Sequence, residues 1–128
     1  MQEFEIIFYK TVEGVNPVRE FLDSLDDKMK AKMLMMIQLL KNNGNLLREP
    51  YSKPIDDGIF EIRAKVGSNI TRIMYFFVIG QKIILTNGFV KKTPKTPKNE
   101  INLAKKYRQD YFLQEKKKKE KENKDNKE

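Results

Sequence analysis

Three strand-like runs lie almost end to end in the second half of the chain. They read IFEIRAKV at 59–66, NITRIMYFFVI at 69–79 and KIILTNGFV at 82–90, each rich in β-branched and aromatic residues. The two short gaps between them each hold Gly followed by a polar residue, which suits a tight hairpin turn. The sequence therefore predicts a three-stranded antiparallel meander, on which the rest of a small chain has to pack.

The elements before the meander are one strand and two helices. FEIIFY at 4–9 predicts the strand. NPVREFLDSL at 16–25 predicts a short amphipathic helix, with Asn16 as N-cap and Pro17 at the first helical position. DDKMKAKMLMMIQLLKNNG at 26–44 predicts a longer helix with a stripe of core methionines. A proline-containing loop then leads into the meander.

The C-terminal part contains a helical pattern followed by a charge-rich tail. NEINLAKKYRQDYF at 99–112 predicts a final helix. Residues 114–128 hold seven lysines and five acidic residues without one apolar side chain, a composition typical of disorder. We therefore expect an α+β domain at 1–113, with two N-terminal helices packed on a small twisted antiparallel sheet, then a C-terminal helix, and a disordered lysine-rich tail at 114–128.

Composition restricts the chemistry that the chain can perform. The net charge is +8, and the tail contributes only +2 of it (seven lysines minus five acids), so the folded part is itself basic and suits a polyanion. The absence of cysteine and histidine excludes a thiolate nucleophile and argues against a zinc site, so we expect no metal and no cofactor. With no long apolar run and two early glutamates in place of a basic leader, the expected location is the cytoplasm, away from membranes.

The two predicted turns set a register for the meander. If Gly67 and Ser68 form the first turn, Arg63 lies opposite Arg72, and the same count at the second turn places Arg72 opposite Phe89. One face then carries mainly polar residues: Glu61, Arg63, Lys65, Arg72, Asn87 and Phe89. The other face is apolar and better suited to the two helices: Phe60, Ile62, Ala64, Val66, Ile73, Tyr75, Phe77 and Ile84. The polar face is expected to stay open.

Two arginines side by side need an explanation, because like charges directly opposite each other are destabilising. One alternative is a salt bridge from Glu61 to one of them. The other is that both await a phosphate, which guanidinium groups bind through paired hydrogen bonds. The segment GFVKKTPKTP at 88–97 would hold a lysine-bearing rim beside them. Phe89 is either a core residue or a platform for a stacked base.

These residues carry a family resemblance. The strings GIFEIRAKVGSNITRIMYFF and ILTNGFVKKTPKTPKNEINLAKKY resemble the phage-derived branch of the RelE/ParE toxin superfamily, close to the HigB toxins. The resemblance covers about residues 4 to 112. It implies a toxin that cuts messenger RNA on the ribosome and is neutralised by a cognate antitoxin, often a helix-turn-helix protein, with operator DNA bound only through the antitoxin complex. ParE-like members share the fold but inhibit DNA gyrase, so fold alone does not settle the activity.

An endoribonuclease that uses the 2′-hydroxyl needs a base, an acid and groups that stabilise the phosphorane. Arg63 and Arg72 suit charge stabilisation. Lys91 and Lys92 are the candidate acid and base, because neighbouring arginines should lower a lysine's pKa. The predicted RNA-binding residues are Lys53, Lys65, Phe89 and Lys95. Several family members use a histidine or a tyrosine near the C-terminus, and this chain has no histidine, so for Tyr51, Tyr107 and Tyr111 a surface or core role is the better alternative.

The resulting prediction is a metal-independent, ribosome-dependent mRNA endoribonuclease toxin. Two alternatives stay open: a gyrase inhibitor, and a non-catalytic nucleic-acid-binding co-repressor.

Overall fold

The computed structural model describes residues 3–125 as three α-helices on one five-stranded sheet. The strand order across the sheet is β1-β5-β4-β3-β2. The elements in chain order are β1 (Glu5–Phe8), α1 (Pro17–Ser24), α2 (Asp27–Asn43), a short 3-10 turn (Gly44–Leu46), β2 (Ser52–Asp56), β3 (Ile59–Val66), β4 (Asn69–Val78), β5 (Lys82–Val90) and α3 (Lys98–Asp125). The predicted α+β class is confirmed.

The two N-terminal helices begin at side-chain caps. The Asn16 side chain accepts a hydrogen bond from the Arg19 amide at 3.1 Å, and Pro17 opens α1. Asp26 caps α2 in the same way, through the Met29 amide at 2.8 Å. Gly44 ends α2 at a φ of +54°, where an added Cβ would lie 2.1 Å from the ring of Phe4. Only glycine therefore fits there.

Helices α1 and α2 cover one face of the sheet and form the first core. The predicted methionine stripe is buried there with its aliphatic neighbours: Met29, Met33, Met36, Ile37 and Leu40. It packs on the sheet residues Ile62, Ala64, Ile73, Tyr75, Ile83 and Leu85. This packing confirms that the methionines are core residues. It also supports the central strands on the face opposite α3.

The register of the meander agrees with the prediction around Arg72 but differs next to the second turn. Arg63 lies opposite Arg72, and Arg72 opposite Phe89, as predicted. However, Val78 pairs with Lys82, which makes Ile79 part of the second turn, and a bulge at Thr86 restores the count.

One face assignment fails because of this shift. Ile84 pairs with Phe76 and lies on the α3 side of the sheet, whereas the sequence placed it on the side of α1 and α2. The turn contains one residue more than predicted, and the bulge later in β5 shifts the pairing back by one residue. The alternation of residues in the sequence reveals neither shift.

The sheet is mixed, so the prediction of a wholly antiparallel sheet is wrong. β1 runs parallel to β5, with Ile6 opposite Ile83. β2 occupies part of the predicted loop and pairs with β3, so that Lys53 lies opposite Glu61. Pro54 within β2 suits an edge strand but weakens the strand pattern in the sequence. The direction of β1 is fixed by its distant partner and not by its own residues.

Helix α3 covers much of the face that was expected to stay open. Ala104 is buried against Met74, Phe76 and Ile84, and the rings of Tyr9 and Tyr107 stack with centroids 4.6 Å apart. The expectation failed because Met74 and Phe76 make the middle of this face apolar, and an apolar surface has to be covered. The charged residues lie toward one end of the face, around Arg63 and Arg72.

Residues 114–125 continue α3, where the sequence predicted a disordered tail. Residues 126–128 lie outside the described part of the chain. Lys and Glu are good helix formers, and extending a helix that is already packed avoids the cost of nucleation. The division into a domain at 1–113 and a tail stays a prediction. Within residues 3–125, no helix combines the length and the apolar character needed to cross a membrane.

Candidate functional site

A buried carboxylate joins the two arginines. Glu61 is 0% exposed, and its Oε2 accepts a hydrogen bond from Arg63 Nε at 2.7 Å. Its Oε1 accepts another from Arg72 Nη1 at 3.0 Å, and Arg72 is itself only 1% exposed. Glu61 therefore pairs with both arginines, where the sequence analysis had allowed for one. The shared counter-charge is what permits two like charges to face each other across adjacent strands.

The segment after β5 folds back over this ion cluster. Thr96 Oγ1 donates a hydrogen bond to Glu61 Oε1 at 2.6 Å and accepts one from Arg72 Nη1 at 2.9 Å. One hydroxyl thus contacts both members of the buried ion pair. These two bonds hold the lysine-bearing segment 91–97 against Arg72. The lysines of this segment therefore lie at the edge of the ion cluster.

Arg72 keeps two buried donors without a protein partner among the described residues. Its Nε and Nη2 are buried and make no hydrogen bond. Burial is the main reason that the pKa of Arg72 lies below its ordinary value; the Glu61 charge opposes this shift, and Arg63 adds to it. Buried donors of a cation are costly when unpaired, so this guanidinium is suited to an anionic or polar acceptor.

Lys91 extends the same face by one row. Its amide donates to the Ile70 carbonyl at 2.9 Å, which continues the β4–β5 ladder beyond Val90. The pKa of Lys91 is lowered, first by partial removal from water and then by the charges of Arg72 and Arg63. The direction for Lys91 is the one expected from the sequence, although desolvation and not repulsion is the larger cause.

The other predicted residues divide between the site and its surroundings. Lys53 and Lys95 are exposed and line, with Arg72 and Thr96, a shallow cavity of about 270 Å³. Lys92 is exposed on the segment beyond β5.

Lys65 and Phe89 lie apart from that cavity. Lys65 is exposed and lines a different cavity, to which Arg63 also contributes. Phe89 is half-buried and packs on the α3-side core, which favours the core role that the sequence left open.

Two contributors to the site were missed or undervalued. Thr96 was read only as part of a loop, since no local pattern shows that its hydroxyl returns to a strand 35 residues earlier. Glu61 was weighed as a partner of one arginine and not as the centre of the cluster.

The tyrosines of α3 serve packing. Tyr107 stacks on Tyr9, and Tyr111 packs edge-on against Phe76 with centroids 5.8 Å apart. Tyr51 is 48% exposed and lies in the turn just before β2.

The assembled site is a cluster of cationic side chains. Arg63, Arg72 and Lys91 lie around one buried carboxylate, with Lys53 and Lys95 at the edge. A family model described as a phage-derived Gp49-like protein (DUF891) matches residues 20–109. The chain belongs to this Gp49-like family. The family is associated with RelE-like toxins, and the matched range contains every predicted site residue. No curated protein matches the chain.

Proposed function

We propose that this Gp49-like protein is the toxin of a type II toxin–antitoxin pair, of the HigB kind, and that it cuts messenger RNA on the ribosome. The observation that carries the proposal is the ion cluster itself. One buried carboxylate orients two arginines next to a lysine whose pKa is lowered. Such an arrangement suits a reaction in which negative charge increases on phosphate.

In the proposed reaction, the RNA's own 2′-hydroxyl attacks the adjacent phosphorus. A neutral Lys91 amine takes the hydroxyl proton as the new oxygen–phosphorus bond forms. Arg63, which is partly exposed, binds the phosphorane oxygens, and the buried charge of Arg72 beside it adds to the positive potential at the phosphate. The bond to the 5′-oxygen then breaks, and Lys92 acts as the general acid that donates a proton to that leaving oxygen. The products are a 2′,3′-cyclic phosphate and a free 5′-hydroxyl, and the nucleophile requires no metal.

The charge of the chain fits the partners of such a toxin. A net charge of +8 favours association with ribosomal and messenger RNA through phosphate contacts, which carry no sequence information. The same basic face would attract an acidic segment of a cognate helix-turn-helix antitoxin. Operator DNA would be bound only through that complex, in the cytoplasm.

The test is mapping of RNA 5′ ends after brief induced expression of the natural protein and of Lys91→Ala. Lys28→Ala is the matched control, since Lys28 is an exposed lysine on α2 and the substitution makes the same change in charge. New ends within translated codons are expected with the natural protein and with Lys28→Ala. They should be lost with Lys91→Ala. Arg72 is less suitable as a first target, because its removal strips a counter-charge from buried Glu61.

Two other results would redirect the assignment. Growth arrest with DNA damage and unchanged RNA ends would contradict RNA cleavage and support gyrase inhibition. Unchanged growth, together with operator binding in the presence of the antitoxin, would support a non-catalytic co-repressor.

A further inference from the structure

A second cavity lies beside the ion cluster, where β2 begins and β3 extends beyond it. Ser52 is the first β2 residue paired with β3, and the Arg63 amide donates to the carbonyl of the preceding Tyr51 at 2.9 Å. The cavity has a volume of about 550 Å³, which lies in the range of small-ligand sites. Its apolar walls come from Met36, Pro50, Ile70 and the Tyr51 ring.

The charged lining of this cavity has one sign. Lys32 from α2, together with Arg63 and Lys65 from β3, contributes cationic side chains, and none of the carboxylates within residues 3–125 lines the cavity. Apolar walls with an aromatic ring and a cationic rim match the two parts of a nucleotide. The base has a flat apolar face, and the phosphate carries the negative charge.

Arg63 connects this cavity with the ion cluster. It lines the cavity while its Nε donates to Glu61 at 2.7 Å. A chain of nucleotides with one phosphate at Arg63 and Arg72 therefore has its neighbouring residue at the mouth of the cavity. An acidic peptide would satisfy the lysines, but a regular spacing of anionic groups with a flat apolar ring between them is a property of RNA.

We propose that this cavity binds the nucleotide next to the scissile phosphate of a single-stranded RNA. Its base stacks on Tyr51, and its outer phosphate lies on Lys32 and Lys65. This inference rests on the proposed function, because it places the cavity relative to the bond that is cut. Tyr51 would thus be a binding residue that positions the RNA, with no part in proton transfer.

The test measures binding without cleavage. The probe is a fluorescently labelled RNA hexanucleotide whose 2′-hydroxyls are methylated, so that the nucleophile is blocked, and the readout is anisotropy at several salt concentrations. Tyr51→Ala should weaken binding by roughly five- to a hundredfold, the range for losing one stacked base. Tyr51→Phe keeps the ring and should bind like the natural protein. Lys32→Ala should weaken binding and reduce the salt dependence by about one phosphate contact, whereas Lys28→Ala should do neither.

The outcomes separate this inference from the proposed function. Equal RNA affinity in Tyr51→Ala, Lys32→Ala and the natural protein would overturn the inference, even if RNA ends still appear during expression. If Tyr51→Ala and Lys32→Ala lose binding to an acidic antitoxin peptide but keep their RNA affinity, the cavity is a site for the antitoxin. That result would also overturn the inference. RNA binding that depends on Tyr51, without new RNA ends during expression, would support the nucleotide site. It would contradict only the proposed cleavage. Because Tyr51 is half exposed and its backbone makes the contacts to β3, circular dichroism should show both Tyr51 variants folded.

Discussion

At the scale of single residues, the site depends on how one buried carboxylate is satisfied. Glu61 accepts hydrogen bonds from Arg63, Arg72 and Thr96, so its charge is surrounded by donors. Burying a carboxylate without partners would be strongly unfavourable, and the three donors offset this cost. The same bonds orient the arginines before any ligand arrives, and preorganised cations stabilise a developing charge better than mobile ones.

The Thr96 hydroxyl provides the sharpest test at this scale. In Thr96→Val, Glu61 loses a donor and Arg72 an acceptor, which should lower the free energy of unfolding by about 1–3 kcal/mol, as for a buried polar group left unpaired. The segment 91–97 should also become more sensitive to trypsin at its lysines. Thr93→Val is the matched control, because exposed Thr93 bonds only to Lys95 within the same segment. Urea denaturation and limited proteolysis measure the two effects. Equal behaviour of the two variants would contradict the proposed fastening.

At the scale of elements, α3 is held to the first strand by a polar contact as well as by packing. The Tyr9 hydroxyl donates to Asp110 Oδ2 at 2.5 Å, and Gln114 donates both to Asp110 and to the Lys10 carbonyl. The Tyr9 bond is the main cause of a lowered pKa for Asp110, followed by the Gln114 bond. The helix that covers Met74 and Phe76 is therefore anchored at a point distant from the ion cluster.

This contact predicts how stability changes with acidity. Because the pKa of Asp110 is lower in the folded than in the unfolded chain, ionised Asp110 adds stability above the ordinary aspartate pKa, and this stability is lost as the pH falls through the lowered value. Tyr9→Phe removes the main cause and should flatten this part of the pH profile. Urea denaturation across the acidic range measures the effect, with Asp125→Asn at the exposed end of α3 as control. A Tyr9→Phe profile parallel to that of the natural protein would contradict the assignment.

At the scale of the whole molecule, the sequence predicted contacts between strands that follow each other in the chain. It missed contacts between parts that are far apart in the sequence. The opposition of Arg63 and Arg72 follows from a turn between adjacent strands, and so it was correct. The placement of Ile84 failed because a turn and a bulge shifted the count in compensating ways. The direction of β1 and the return of Thr96 to Glu61 were missed because both depend on partners far along the chain. The site was therefore predictable in its cations but not in the contacts that orient them.

The exposed end of α3 offers a test of how far the folded unit extends. Residues 116–125 are helical, all are exposed, and none of them has an apolar side chain that could be buried. Truncation after Glu115 should reduce the helical signal while leaving the midpoint of thermal unfolding unchanged, because little packing is lost. A second truncation after Lys106, which removes Asp110 and Tyr111, serves as the positive control and should lower the midpoint clearly. A similar loss in both would show that the end of the helix contributes to the fold.

The parallel pairing of β1 with β5 has a consequence for the order of events during synthesis. Glu5 is made well before Lys82, its neighbour in the sheet, and β5 then ends at Val90, just before Lys91. Contacts between such distant parts of a chain form late, because a long loop has to close first. A nascent chain that stops before Thr96 has Glu61 and Arg72 but lacks the hydroxyl that joins them. We therefore expect an unfinished chain to lack the ordered ion cluster until Thr96 has been added and the sheet has closed.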